Sequence, residues 1–189
     1  IYPGNNFDYH LIPFEEAVKN NLRVIMPYYG IPVDQTQENV AMAFNKNILS
    51  DLLREDIGFN GVICSDWGII TGRHWGVNDL SIIERYEKSI DAGIDQFGGE
   101  TDTSHLIRLV NENKVLESRI DDSVRRILIN KFDLGLFDNP YVDENNVKQK
   151  VNTLKNINAG LDAQRKSLVL LENNGILPLK KETKIYIDG

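Results

Sequence analysis

The stretch Gly61-Val62-Ile63-Cys64-Ser65-Asp66-Trp67-Gly68 decides the fold class. Small and β-branched apolar residues run without interruption and then give way to an acid, an aromatic ring and a glycine. A strand buried on both faces of a parallel sheet reads this way when it delivers a carboxylate to an open face. In a (β/α) barrel, a polar residue at the carboxyl end of a strand lies in the mouth where chemistry occurs. Asp66 beside Trp67 sets a charge next to a flat apolar platform. A sugar site needs both, an anion for a cationic transition state and a ring face for C–H stacking. The alternative reading of the same pattern is that Asp66 N-caps the helix that follows.

Two further apolar runs flank this one. Leu22-Arg-Val-Ile-Met26 ends in Pro27-Tyr28-Tyr29-Gly30, and Gly93-Ile-Asp-Gln-Phe97 ends in Gly98-Gly99-Glu100. The step between runs is about 35 residues, close to the roughly 30 per βα unit of an eight-unit barrel. Helical periods fill the gaps. Val40, Phe44, Ile48 and Leu52 recur at i, i+4, and Ile82, Ile83, Tyr86 and Ile90 make a weaker stripe. Thr101-Asp102-Thr103-Ser104 is rich in N-cap residues and predicts a helix through Leu106, Ile107 and Val110. Another helix is predicted from Ser118 through Ile120, Val124, Ile127 and Leu128, stopping near Gly135. Such alternation implies α/β architecture with a parallel sheet and right-handed crossovers. Three units cannot close a barrel, so the other strands are expected upstream of Ile1.

Composition shifts at Phe137-Asp-Asn-Pro140. The expected division is residues 1–137 as the C-terminal part of a (β/α)8 TIM-barrel catalytic domain, 138–158 as a polar linker, and 159–189 as the start of a truncated second domain. In that last part a helix is expected from Ala159 to Leu171, then strand-like runs at Gly175-Ile-Leu-Pro-Leu179 and Lys184-Ile-Tyr-Ile-Asp188. A first residue of Ile rather than Met leads to the expectation that the chain is a piece of something longer, its partner being the missing remainder of its own chain.

The 189 residues are 41% hydrophobic and 26% charged, with a net charge of −7. That balance argues against nucleic acid and anionic membrane as partners, since both reward clustered Lys and Arg. No apolar run reaches the roughly 20 residues needed to span a bilayer. The lone Cys64 excludes an intrachain disulfide and a cysteine zinc cluster, and its place in an apolar strand predicts a buried, inert thiol. His10, His74 and His105 have no metal-ligand spacing, and no phosphate-binding glycine loop occurs, so no metal and no cofactor is expected.

Four segments resemble glycoside hydrolase family 3, which includes many β-glucosidases and β-xylosidases. Leu52 to Gly68, with Gly58-Phe59-Asn60-Gly61 before Ser65-Asp66-Trp67, looks like the family's nucleophile signature. Ala92-Gly93-Ile94-Asp95 is similar to its next strand, Arg119 to Phe137 to the helix closing its barrel domain, and Gln164 to Leu179 to the start of its α/β sandwich domain. The resemblance implies a retaining, exo-acting β-glycosidase of β-glucosidase type that works through a covalent glycosyl-Asp66 intermediate. Alternatives are a β-xylosidase, an exo-β-glucanase or a catalytically silent sugar-binding relative. A barrel aldolase would want a Schiff-base Lys at a strand end, and none of the three ends has one.

By the same resemblance Asp66 matches the nucleophile and Trp67 the aglycone side of the site. Tyr29 matches a tyrosine that approaches the nucleophile, where it could donate a hydrogen bond to the Asp66 carboxylate, against ordinary strand-end packing as the alternative. Arg73 and His74, with Trp75, could line the sugar site from the loop after Asp66, against an ordinary exposed loop as the alternative. His10 could touch substrate where its loop ends. The family's lysine–histidine pair and general acid/base correspond to positions outside these residues. Glu100 either fills a sugar subsite or precedes a helix and favours its dipole, the second being preferred. Asp95 is expected in a structural or rim role. The substrate implied is a β-linked oligosaccharide or glycoside. Export to a periplasm or medium is implied only by analogy with polysaccharide-degrading members.

Overall fold

A computed structural model describes Gly4 and residues 6–188. The expectations made at Ile1 and Gly189 lie outside the described residues. The chain divides into two compact units, Ile1–Pro140 and Tyr141–Gly189.

The first unit opens with α1 (Phe7–Lys19), so His10 lies within a helix and not at the end of a loop. Pro13 in its middle removes one backbone donor, and this masks a helical period otherwise carried by Leu11, Phe14 and Val18. β1 (Val24–Ile25) then pairs in parallel with β2 (Val62–Ile63), Val24 opposite Val62 and Ile25 opposite Ile63. Beyond β2 a single parallel bridge joins Cys64 to Gln96. The three predicted strands therefore lie side by side in chain order, as successive βα units require. They are shorter than their apolar runs because ladder bonds mark only the paired residues.

The connection from β1 to β2 is a 3-10 turn at Met42–Phe44 and a π-helical segment at Asn47–Asp56. The Ile57 amide donates to the Leu52 carbonyl at 2.9 Å, the wide i→i−5 spacing. α2 (Ile82–Ala92) begins at a capping box in which the Glu84 carboxylate accepts from both the Ser81 amide, 2.8 Å, and the Ser81 hydroxyl, 2.6 Å. α3 (Ser104–Asn111) and α4 (Glu117–Asp133) form where the periodicity predicts them. α4 stops as the Leu136 amide reaches back to the Lys131 carbonyl, with Gly135 at φ +68.

One apolar core fills the space between strands and helices. Ile63 and Ile94 from the sheet meet Leu49 and Leu53, Tyr86 and Ile90 of α2, and Leu109 of α3. Beneath it, the Asp95 side chain is fully buried as the hub of a polar knot. Its Oδ2 accepts from Arg54 (2.6 Å) and from the Ile63 amide (2.9 Å), and its Oδ1 from Ser123 (2.7 Å) and Arg126 (2.9 Å). Arg119 stands 3.5 Å from the same carboxylate. Burial pushes the Arg54 and Arg119 guanidinium pKa values down, and Asp95 opposes that by favouring the charged forms. Asp95 is thus structural, tying the strands to α4.

In the second unit a 3-10 turn (Glu144–Asn146) and α5 (Val147–Lys150) precede α6 (Leu154–Ser167). The Thr153 hydroxyl accepts from the Asn156 amide and starts α6 earlier than the expected Ala159. Neither 175–179 nor 184–188 is a strand among the described residues. A strand needs a neighbour to take its ladder bonds, and these runs have none. Leu168 to Leu171 and Ile185 to Ile187 are correspondingly exposed.

Candidate active site

Asp66 sits at the carboxyl end of β2, half-buried, with Val62, Ile63 and Ser65 fully buried behind it. The Ser65 amide donates to the Gln96 carbonyl at 2.8 Å and fixes the strand end to its neighbour. The Asp66 Oδ1 accepts from the Trp67 amide at 2.6 Å. Residues 67–72 form turns, and the next helix begins only at Ile82, so Asp66 does not cap a helix.

The loop after Asp66 gathers several residues singled out in the sequence. The Arg73 guanidinium donates to the Trp67 carbonyl at 2.6 Å and lies over the Tyr29 ring, 5.5 Å from its centroid. That ring meets the Trp75 indole edge-on at 5.0 Å. Trp67, Arg73, Tyr29 and Trp75 therefore form one contiguous cluster beside Asp66, in which the segment after β1 supplies the tyrosine. Tyr29 joins through its ring. Among the described residues its hydroxyl makes no hydrogen bond to the Asp66 carboxylate. His74 is half-buried rather than an exposed loop histidine, and its Nδ1 is enclosed without a hydrogen-bond partner. Gly76, at φ +81, lets this loop approach the Asn39 backbone, where a Cβ would stand 2.5 Å from the Asn39 carbonyl oxygen.

Glu100 holds the loop after Asp66, a contact that its sequence neighbourhood does not reveal. Its Oε1 accepts from the Ile70 amide, the Thr71 amide and the Thr71 hydroxyl, each at 3.2 Å, and so latches the loop that carries Trp67. Gly98 and Gly99, which the sequence did not single out, lie directly against the Trp67 indole. His10 lies on α1 and lines an apolar cavity of about 480 Å³ with Leu11, Phe14, Leu49 and Leu53. His105 stacks on Tyr86 at 5.6 Å and belongs to the packing around α2 and α3. Cys64 is partly buried, and burial pushes its thiol up. Among the described residues no three His, Cys, Asp or Glu side chains converge to hold a metal, and no helix is long and apolar enough to cross a membrane.

Comparison with known proteins bears on what this cluster is. "Probable beta-glucosidase C" of Aspergillus flavus is 46% identical over the whole chain, which spans 32% of it. "Periplasmic beta-glucosidase/beta-xylosidase" of Dickeya chrysanthemi is 38% identical over 98% of the chain, again 32% of its own length. The chain thus spans about a third of the length of the curated relatives it matches. A solved β-glucosidase from Listeria innocua in complex with glucose superposes with a TM-score of 0.73 at 31% identity, covering 90% of this chain and 23% of that one. Residues 5–129 match the family model described as the glycosyl hydrolase family 3 N-terminal domain. With two-thirds of its residues inside that match, the chain belongs to glycosyl hydrolase family 3.

Proposed function

We propose that this chain is part of a retaining, exo-acting β-glycosidase of β-glucosidase type, with Asp66 as its nucleophile. The observation that carries the reading is the Asp66 carboxylate at the carboxyl end of a parallel strand, flanked by the Trp67 platform and the Arg73–Tyr29 stack. In this reading residues 1–137 are the last units of a (β/α)8 barrel, 138–158 a linker, and 159–189 the opening of an α/β sandwich. The relatives named β-glucosidase, and the solved relative that holds glucose, support a β-linked glucoside as substrate.

The chemistry follows from two carboxyl groups about 5–5.5 Å apart on opposite sides of the anomeric carbon. Asp66 attacks that carbon while a general acid outside these 189 residues protonates the departing oxygen. The same partner then deprotonates the water that releases the sugar from Asp66. Asp66 suits its part because it sits at a strand end and takes a short hydrogen bond from the Trp67 amide. Trp67 offers its ring to the leaving group, and Arg73 and His74 offer donors to sugar hydroxyls. A β-xylosidase reading is favoured by one observation, the dual name of the Dickeya relative.

Trapping tests the assignment. The full-length protein, incubated with an activated 2-deoxy-2-fluoro-β-glucoside and digested, is expected to carry the label on the peptide containing Asp66. Hydrolysis of β-glucosides with the label on another residue sinks the nucleophile assignment. Turnover of xylosides in preference to glucosides moves the specificity to the second reading.

A further inference from the structure

We propose that Gly98 and Gly99 are positioning residues for the aglycone side of this site: their bare backbone seats the Trp67 indole and so fixes the platform on which the leaving group lies. The inference rests on the β-glycosidase reading above.

A Cβ on Gly98 would stand 2.6 Å from the Ser65 carbonyl oxygen, 2.7 Å from Trp67 Cε3 and 3.1 Å from Cζ3, so the strand end carrying Asp66 and the indole both exclude a side chain there. A Cβ on Gly99 would stand 2.6 Å from Cδ1, 3.1 Å from Cγ and 3.2 Å from Nε1. Carbon atoms in contact settle at about 3.5–4.0 Å, so neither side chain fits while the indole stays where it is. The two glycines touch opposite ends of the ring system, the first its six-membered ring and the second its five-membered ring. Their backbone therefore runs along the indole. Gly98 is buried, whereas Trp67 is 59% exposed, so the part of the indole away from the glycines is open to a ligand.

The seat is also bonded to the strand end that carries Asp66. The Gly98 amide donates to the Ser65 hydroxyl at 2.9 Å, and the Gly68 amide donates to the Gly98 carbonyl at 3.0 Å. These two bonds bracket Asp66 and Trp67 on either side, so Gly98 and Gly99 set where the ring stands relative to the carboxylate. The ligand that fits is a ring with one apolar face, either the C–H face of a pyranose or an aromatic aglycone. Its contact with Trp67 assists departure of the leaving group. It has no part in the later release of sugar by water, because the leaving group has gone by then.

Gly99→Asn is the discriminating substitution, because asparagine tolerates the φ of +73 found there while adding the Cβ. Gly135→Asn is its control, at φ +68 with nothing within 4 Å of the added atom. In the full-length protein, Gly99→Asn and Trp67→Ala are each expected to lower kcat/KM for a β-linked glucose disaccharide by about tenfold. The double variant is expected to be no worse than Trp67→Ala, and Gly135→Asn to match the wild type. For a dinitrophenyl β-glucoside limited by sugar release, kcat stays unchanged in Gly99→Asn. Acrylamide quenching of tryptophan emission rises in Gly99→Asn, and that increment disappears in the Trp67→Ala background. Additive losses in the double variant, or unchanged quenching, overturn the seat. A wild-type protein that hydrolyses no β-glycoside refutes the functional reading instead, and the quenching comparison then decides the seat by itself.

Discussion

Glu100 acts through one oxygen atom. Three donors converge on its Oε1, and one of them, the amide of Ile70, belongs to a fully buried residue. Taking that oxygen away leaves a buried donor unpaired, which costs about 1–3 kcal/mol, and frees the turn between Trp67 and Arg73. Glu100→Ala is therefore expected to lower kcat/KM of the full-length enzyme by about tenfold through misplacement of the loop. Glu100→Gln keeps an acceptor oxygen in reach and recovers most of the loss. Steady-state kinetics on both variants checks this, and an alanine variant indistinguishable from wild type would show that the loop holds without its latch. Sequence alone could place Asp66 and Trp67, because the strand that presents them is a local apolar run with an abrupt polar end. It could not assign Glu100, whose partners lie 30 and 29 residues away and depend on two strand ends lying side by side.

Among the elements, the sheet and α4 share one buried charge. Asp95 faces Arg54, Arg119 and Arg126, so Asp95→Asn leaves three guanidinium groups around a neutral amide. Breaking such a buried set is expected to destabilise the protein by about 3–5 kcal/mol, measured by urea unfolding. The N-terminus of α2 is pH-dependent in a definite direction. Hydrogen bonds from the side chain and backbone of Ser81 hold the Glu84 carboxyl below its ordinary range. A depressed carboxyl contributes stability above its unfolded value and loses it as pH falls through the folded one. Glu84→Gln is thus expected to lower the urea midpoint at about pH 7, with the difference from wild type shrinking toward about pH 3. The helices α2, α3 and α4 were legible through their apolar spacing, although only α2 begins at a capping box. α1 was not, because Pro13 interrupts its pattern, and the runs at 175–179 and 184–188 were over-read because a strand-like composition does not supply a partner strand.

For the molecule as a whole, none of the described residues from 141 to 188 is buried. Exposed apolar runs such as Leu168 to Leu171 at 64–92% exposure, together with unpaired sheet edges in the first unit, favour self-association. The 189-residue chain alone is expected to aggregate and to leave an aryl β-glucoside intact. Size-exclusion chromatography with a hydrolysis assay checks both, and measurable turnover by the soluble monomer would contradict the need for an external acid/base. The buried aspartate has a further consequence in the order of synthesis. Arg54 precedes Asp95 on the chain, but Ser123 and Arg126 follow it, the latter by 31 residues. At about 5–20 residues per second, the ribosome adds Arg126 about 1.5–6 s after Asp95. During that interval the nascent third strand carries its acid with only one of its arginines made, so it stays open to water, and the sheet locks only as α4 is delivered.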